Sequence, residues 1–213
     1  MKIDHIKPQD IEQKSFEILS SILEEQGKAI DEKHAHIIKR CIHTSADFEY
    51  ADSMYFSEGV EEKIAEAIKN GGYIVTDTRM AQAGINKAYI EKLGGQVLCF
   101  IGDEDVAAEA KERGLTRSFI SMEKAARLDK PVVFAIGNAP TALKSICQLH
   151  REGILNPVAV VGVPVGFVNV VESKEELIES GIPAIVARGR KGGSNVAAAI
   201  INAIQYKLKN SEA

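Results

Sequence analysis

From Val158 to Val163 the chain is apolar and mostly β-branched. It then breaks into Pro164, Gly166 and Phe167 and ends in Asn169, Glu172 and Ser173. A short apolar run closed by turn residues is the pattern of a strand buried on both faces. The loop that follows such a strand lies at its carboxyl end, where open α/β sheets bind ligands. No charge occurs between Gly153 and Val171, so a membrane span is the rival reading. Asn156, Pro157, Pro164, Asn169 and the intervening glycines argue against it, because a spanning helix needs about 20 mostly apolar residues.

The rest of the chain alternates between the two periods. Pro8 to Gln26 places Ile11, Ser15, Ile18, Leu19 and Ile22 at helical spacing, with Gly27 as a C-terminal cap. A second helix is expected from near Asp31 to Asp47. Ser57 then reads as the N-cap of a helix ending at Gly71-Gly72. Strands are expected at Tyr73–Thr76, Gln96–Ile101, Pro131–Ile136, Val158–Val163 and Ala184–Ala187. Between them lie helices at Asp105–Arg113, from Thr116 to about Leu128, from Pro140 (at N1) to about Arg151, and after a Ser173-Lys174-Glu175-Glu176 capping box. A last helix has an almost wholly apolar face from Val196 to Ala203. Strands alternating with helices in this way predict an α/β fold: a mostly parallel sheet of about five strands with helices on both faces. The N-terminal helices read as an addition to it. No repeat, low-complexity segment or long linker divides residues 1–213, so a single domain is expected.

Composition narrows the classes. With 45% hydrophobic residues and 26% charged ones, the chain has what a full core and a solvated surface need. A net charge of -4 gives no basic stripe for nucleic acid. Lys2, Asp4, His5 and Lys7 at the start are not a signal-peptide pattern. Cys41, Cys99 and Cys147 form no CxxC pair. A cytoplasmic protein with reduced cysteines is expected, with no membrane and no nucleic acid among its partners.

In a parallel sheet the loops that follow the strands emerge on one edge. Here those loops are Asp77-Thr78-Arg79, Gly137-Asn138-Ala139-Pro140-Thr141, Pro164-Val165-Gly166-Phe167 and Arg188 to Asn195. Together they predict one broad site rimmed by glycines, backbone N–H groups and cations. Glycines ahead of a helix leave N–H groups for an anion, and Arg188 and Arg190 add bidentate donors. Gly192-Gly193 fits neither the dinucleotide nor the P-loop fingerprint. His43 is the acid–base candidate, with Arg40 one helical turn before it. His36, His43 and Asp47 share a helical face and make a metal reading conceivable. No GxSxG elbow supports a serine hydrolase, and Cys41 and His43 diverge on a helix.

In combination these segments resemble the precorrin-8X methylmutase family of cobalamin biosynthesis. The resemblance rests on Ser15-Phe16, Arg40-Cys41-Ile42-His43, Asp77 with Met80, Gly137-Asn138-Ala139-Pro140-Thr141-Ala142-Leu143, Pro164-Val165-Gly166-Phe167-Val168, Glu172-Ser173-Lys174, and Arg188-Gly189-Arg190 with Gly192-Gly193-Ser194. It implies an isomerase that moves a methyl group from C11 to C12 of precorrin-8X or cobalt-precorrin-8, giving hydrogenobyrinic or cobyrinic acid without a redox cofactor. It also implies that His43 is the catalytic proton donor or acceptor. Ser15, Arg40 and Arg117 would contact substrate, with Thr44, Asp77, Met80, Asn138, Thr141, Val165, Gly166, Phe167, Arg188, Arg190, Gly192, Gly193 and Ser194 around it. A homodimer with sites near its interface, and tight product binding suited to hand-off to the next pathway enzyme, follow from the same likeness. Thr44-Ser45-Ala46 departs from the small residues expected after the histidine. Two rivals stay open: a nucleotide-dependent oxidoreductase on a similar fold, and a non-catalytic tetrapyrrole carrier.

Overall fold

The computed structural model describes residues 7–211; Lys2, Asp4 and His5 lie outside them. The strands are β1 (Met54–Phe56), β2 (Tyr73–Thr76), β3 (Gln96–Leu98), β4 (Val132–Ile136), β5 (Ala159–Gly162) and β6 (Ala184–Ala187). The helices are α1 (Ile11–Glu25), α2 (Ala35–Ser45), α3 (Tyr50–Ser53), α4 (Val60–Lys69), α5 (Arg79–Gly84), α6 (Lys87–Lys92), α7 (Glu104–Arg113), α8 (Arg117–Ala125), α9 (Pro140–Arg151), α10 (Val170–Glu179) and α11 (Ser194–Ser211). The six strands run in the order β1-β6-β5-β4-β2-β3. All neighbours are parallel except β1, which lies antiparallel to β6.

Why the central strands read as continuous apolar runs is visible in β4. Val133 and Ala135 enter one core with α1, α2, α4 and α11, while Val132, Phe134 and Ile136 enter another with α8, α9 and α10. A strand packed by helices on both faces has no side left for polar residues. Leu19, Leu23, Ile37 and Ile42 share the first of these cores with strand residues, so the N-terminal helices form one of the two layers and are not an appendage. Among the described residues no helix is long and apolar enough to cross a membrane.

The expected five strands become six because Met54–Phe56 adds an edge strand. Three residues wedged between helices carry too short a pattern to register as period two. Ser57 does not cap α4: its Oγ accepts the Ala184 N–H (2.8 Å), continuing the β1–β6 edge. Gly59, at φ 67°, occupies the N-cap instead. The second helix starts at Ala35, not at Asp31. The expected strand at Gln96–Ile101 ends at Leu98, and α8 ends at Ala125. The Ser173 capping box is not a cap either. Asn169 takes a left-handed conformation (φ 56°) and opens α10 at Val170, which leaves Ser173 inside the helix with its Oγ donating to Val170 O (3.0 Å). Pro140 at N1 and the Thr116 cap are as the pattern predicts. The Val196–Ala203 stretch of α11 supplies core: Val196, Ala197, Ile200 and Ile201 are all fully buried.

Candidate active site

The loops after β2, β4, β5 and β6 lock into one another through their backbones. Asp77, at the end of β2, is buried, and its carboxylate accepts the N–H groups of Gly137 (2.9 Å), Asn138 (2.8 Å) and Ala139 (2.6 Å). Burial pushes its carboxyl above the ordinary range, and the three N–H donors pull the other way. All three loop contacts are donors, an arrangement that favours the carboxylate over the acid. Thr78 Oγ1 lies 2.8 Å from Ser194 Oγ, and the Gly193 N–H donates to Val163 O (2.9 Å). The Gly166 N–H donates to Arg190 O (3.1 Å). Two glycines are required by contact: a Cβ on Gly137 would sit 2.6 Å from Ser194 Cα, and one on Gly192 would sit 2.1 Å from Val163 O.

His43 reaches this edge from α2, which packs against α11. It lies in the last turn of α2, ahead of Ala46, whose left-handed conformation (φ 55°) ends the helix. The imidazole is exposed and stacks on Phe16 of α1, with ring centroids 5.1 Å apart and planes 15° from parallel. Arg40, one turn earlier, lays its guanidinium over Phe16 (4.8 Å) and Tyr206 (5.2 Å) and pairs with Glu12. The hollow beside His43 has a volume of about 280 Å³ and is lined by Arg40, Thr44, Gly84, Asn195, Ala198, Ala199, Asn202 and Tyr206. A second hollow of about 430 Å³, lined by Glu12, Gln13, Phe16, Arg40, Tyr206 and Asn210, shares Arg40 and Tyr206 with it. The two hollows meet at Arg40 and Tyr206 as one groove, with Phe16 on the wall of the second and the Glu12 carboxylate paired with the arginine.

Thr44 belongs to this groove, and its carbonyl is 3.5 Å from Asn195 Nδ2 at the start of α11. Lys191 in the glycine-rich loop pairs with Asp47 (2.6 Å) and Glu49 (2.5 Å), just after α2. Those contacts hold the lysine above its usual range, and Lys191 in turn lowers the Asp47 carboxyl. Ser15 sits half-buried beside Phe16. Ser194 and Gly193 are buried within the interlocked loops, and Asp77 faces inward with them. Asn138, Val165, Phe167, Arg188 and Arg190 are exposed along the same edge, with Gly166 and Gly192 half-buried. Arg188 is shared with Glu175 (3.0 Å) and lies over the Tyr55 ring (5.8 Å). Thr141 accepts from Thr116 Oγ1 (2.8 Å), which puts the loop after β4 against the start of α8, where Arg117 is exposed. Met80, at 71% exposure, projects from α5.

His36, His43 and Asp47 do not converge. His36 Nε2 lies 3.1 Å from Glu61 Oε1, and Asp47 is occupied by Lys191. Among the described residues no group of three His, Cys, Asp or Glu is arranged to hold a metal ion. Cys41 is fully buried, and burial pushes its thiol up to about 12, so it offers no thiolate to His43. Sequence reasoning passed over Tyr206 and Asn202, and named Asn195 only as the end of the glycine-rich loop. They carried a signal: with Ala198 and Ala199 they recur at helical spacing on the face of α11 opposite its apolar positions.

The interlocked loops, the histidine stacked on Phe16 and the arginine over Phe16 and Tyr206 make this the candidate site. The sequence profile of the precorrin-8X methylmutase family matches residues 10–207. The chain belongs to that family. It is 44% identical over 209 residues to a cobalt-precorrin-8 methylmutase of Salmonella typhimurium, covering 96% of this chain and 98% of that one. It is 47% identical over 201 residues to a cobalt-precorrin-8 methylmutase of Priestia megaterium, covering 93% and 88%. The solved structure of precorrin-8X methylmutase from Thermus thermophilus superposes with a TM-score of 0.83 at 32% identity, covering 96% of this chain and all of that one. The chain is thus a methylmutase, an isomerase, on the α/β fold of its family.

Proposed function

We propose that this methylmutase acts in cobalamin biosynthesis. It moves a methyl group from C11 to C12 of precorrin-8X or cobalt-precorrin-8 and releases hydrogenobyrinic or cobyrinic acid. The C11–CH3 bond breaks as the C12–CH3 bond forms, so atoms and electrons balance within one molecule and no redox partner enters. His43 gives a proton or hydrogen bond to a ring nitrogen near C11 and so selects the tautomer from which the methyl can move. Arg40 and the loops of the sheet edge hold the acetate and propionate arms. The observation that carries this reading is the stacking of His43 on Phe16, which holds the imidazole at the wall of the hollow shared with Arg40 and Tyr206. The names of the relatives at 44% and 47% identity favour the cobalt-bearing substrate. The same reading includes a cytoplasmic homodimer, in which the exposed Phe167 and Val168 meet the second subunit near the groove, and retention of product for hand-off to the next enzyme.

The test is the visible spectrum of purified protein mixed with cobalt-precorrin-8 or metal-free precorrin-8X, followed over minutes and then through gel filtration. The corrin spectrum should develop and travel with the protein. His43→Ala should still bind pigment while its turnover drops about 10²- to 10⁴-fold. Wild-type turnover by His43→Ala would refute the proton role, and a bound pigment that never becomes corrin would favour the carrier.

A further inference from the structure

Lys174, in the first half of α10, is completely buried. Among the described residues no ion pair reaches its ammonium, and the adjacent Glu175 turns to Arg188 instead (3.0 Å). Its Nζ donates to two backbone carbonyls of the glycine-rich loop, Gly189 O (2.9 Å) and Lys191 O (2.8 Å). A buried charge is costly unless something compensates it. Burial pushes this lysine down to about 8. A methionine would fill the same space at less electrostatic cost but would leave both carbonyls without this donor; what needs a reason is why these two carbonyls are drawn inward at such a cost.

The planarity of the peptide bond supplies the reason. Across a trans peptide the C=O of one residue and the N–H of the next point in opposite directions. Drawing the Gly189 carbonyl inward turns the Arg190 N–H outward, and drawing the Lys191 carbonyl inward does the same for the Gly192 N–H. Among the described residues neither N–H has a protein acceptor. Both N–H groups, two residues apart, point away from the Lys174 ammonium and can share one anion, with the unpaired positive charge on the other side of the two peptides.

We propose that Lys174 is the positioning residue of an anion subsite, in which the backbone N–H groups of Arg190 and Gly192 receive a carboxylate arm of the substrate. Its charge reaches the carboxylate through two polarised peptides and does not touch it. That the anion is a substrate arm rests on the function proposed above; the orientation of the loop does not.

The experiment compares wild type with Lys174→Met and Lys174→Gln. The Gln variant keeps two N–H donors on a shorter arm without the charge. Binding of the corrin product, read by its visible spectrum, should weaken about tenfold or more in Lys174→Met, while kcat at saturation stays within about threefold, because the lost contacts are charge-assisted and distant from the migrating methyl. Hydrogen exchange over residues 188–193 of the unliganded variant should be faster than in wild type. A purely structural role would change thermal stability and leave the split between KM and kcat unmoved. Product binding within twofold of wild type by a folded Lys174→Met protein would overturn the proposal, as would unchanged exchange in the loop. If wild type itself binds no tetrapyrrole, the proposed function fails, and the exchange arm still judges the loop. Should neither variant fold, 15N-labelled lysine in wild type gives the answer. A slowly exchanging ammonium signal that shifts when product binds supports the subsite, and the absence of any such signal refutes it.

Discussion

Asp77→Asn is nearly isosteric, and the surroundings of Asp77 say what it should cost. The carboxylate accepts three loop N–H groups, one on Oδ1 and two on Oδ2. An amide keeps one oxygen. With that oxygen in the Oδ2 position, the Asn138 and Ala139 donors are retained without charge assistance, and the new NH2 faces the Gly137 N–H. One buried donor is then unpaired and opposed by another donor, which costs about 1–3 kcal/mol, and the weakened charge-assisted bonds add about 1 kcal/mol more. Relief from burying an ionised carboxylate offsets part of this, so a net loss of about 2–3 kcal/mol is expected. Asp77→Ala strands all three donors and should lose more, about 3–5 kcal/mol. Equilibrium urea unfolding measures both: the midpoint should fall in the order wild type, Asn, Ala, with the slope unchanged. The interlocked sheet edge should suffer too, because Asn138 and the start of α9 hang on this loop. kcat/KM should fall in both variants even where the fold persists. If Asp77→Asn matches wild type to within about 0.5 kcal/mol, the carboxylate is not what holds the loop. If Asp77→Ala is no worse than Asp77→Asn, the retained amide oxygen accepts nothing, and the division of donors between Oδ1 and Oδ2 does not govern the loss.

Arg40→Lys keeps a positive charge but loses the planar group lying over Phe16 and Tyr206. It should raise KM about tenfold in steady-state assays, and Arg40→Ala should raise it further. Gly192→Ala must push its Cβ away from Val163 O, a backbone atom that cannot rotate aside. It should lower stability by about 1–3 kcal/mol in the same urea assay and weaken product binding more than a substitution at the exposed Gly114. Glu61 answers to pH. Burial would raise its carboxyl, but His36 and Lys207 (2.6 Å) outweigh that and bring it to about 2, against an ordinary 4.5. A carboxyl lowered on folding stabilises above its unfolded value and loses that contribution as pH falls, so on the order of 1–3 kcal/mol, after screening at the half-exposed Lys207, should disappear between pH 4.5 and 2. Glu61→Gln should flatten that limb of the stability curve, and an unchanged acid limb would refute the ion-pair account.

How much of this was legible depends on what each feature is made of. The inner strands were legible because burial on both faces leaves continuous apolar runs, and the Pro140 and Thr116 helix starts were legible because fixed φ and a side-chain cap are local chemistry. The edge strand Met54–Phe56 was not, since its only evidence is a partner more than a hundred residues away in β6. Asn169 hid the start of α10 because a left-handed asparagine leaves no pattern, and the Ser-x-x-Glu box three residues later offered a better-known one. At the candidate site, the convergence of the sheet-edge loops could be read from strand order. The inward turn of Asp77 could not, because an aspartate before a loop looks the same whether it faces ligand or backbone. The Asn195–Asn202–Tyr206 stripe was present as a helical period but was masked by the apolar positions interleaved with it on α11.

A methyl shift within a single molecule has no second reactant to capture, so on the proposed function the protein's work is to orient one large ring and to fix its tautomer. The distribution of charge in the fold matches that demand. On the sheet edge, a buried anion collects three donors from the loop after β4, and a buried cation collects two acceptors from the loop after β6. Each charge is held by backbone and not by a countercharge, and each fixes which way its loop's peptides face. The groups assigned to the ring itself, His43 and Arg40, sit outside this frame on α2 and are held by stacking on Phe16 and Tyr206. The stacking holds the imidazole in one plane. On the proposed function, rigidity would lie where the carboxylate arms are placed and freedom where the proton moves, the division of labour that an intramolecular rearrangement requires.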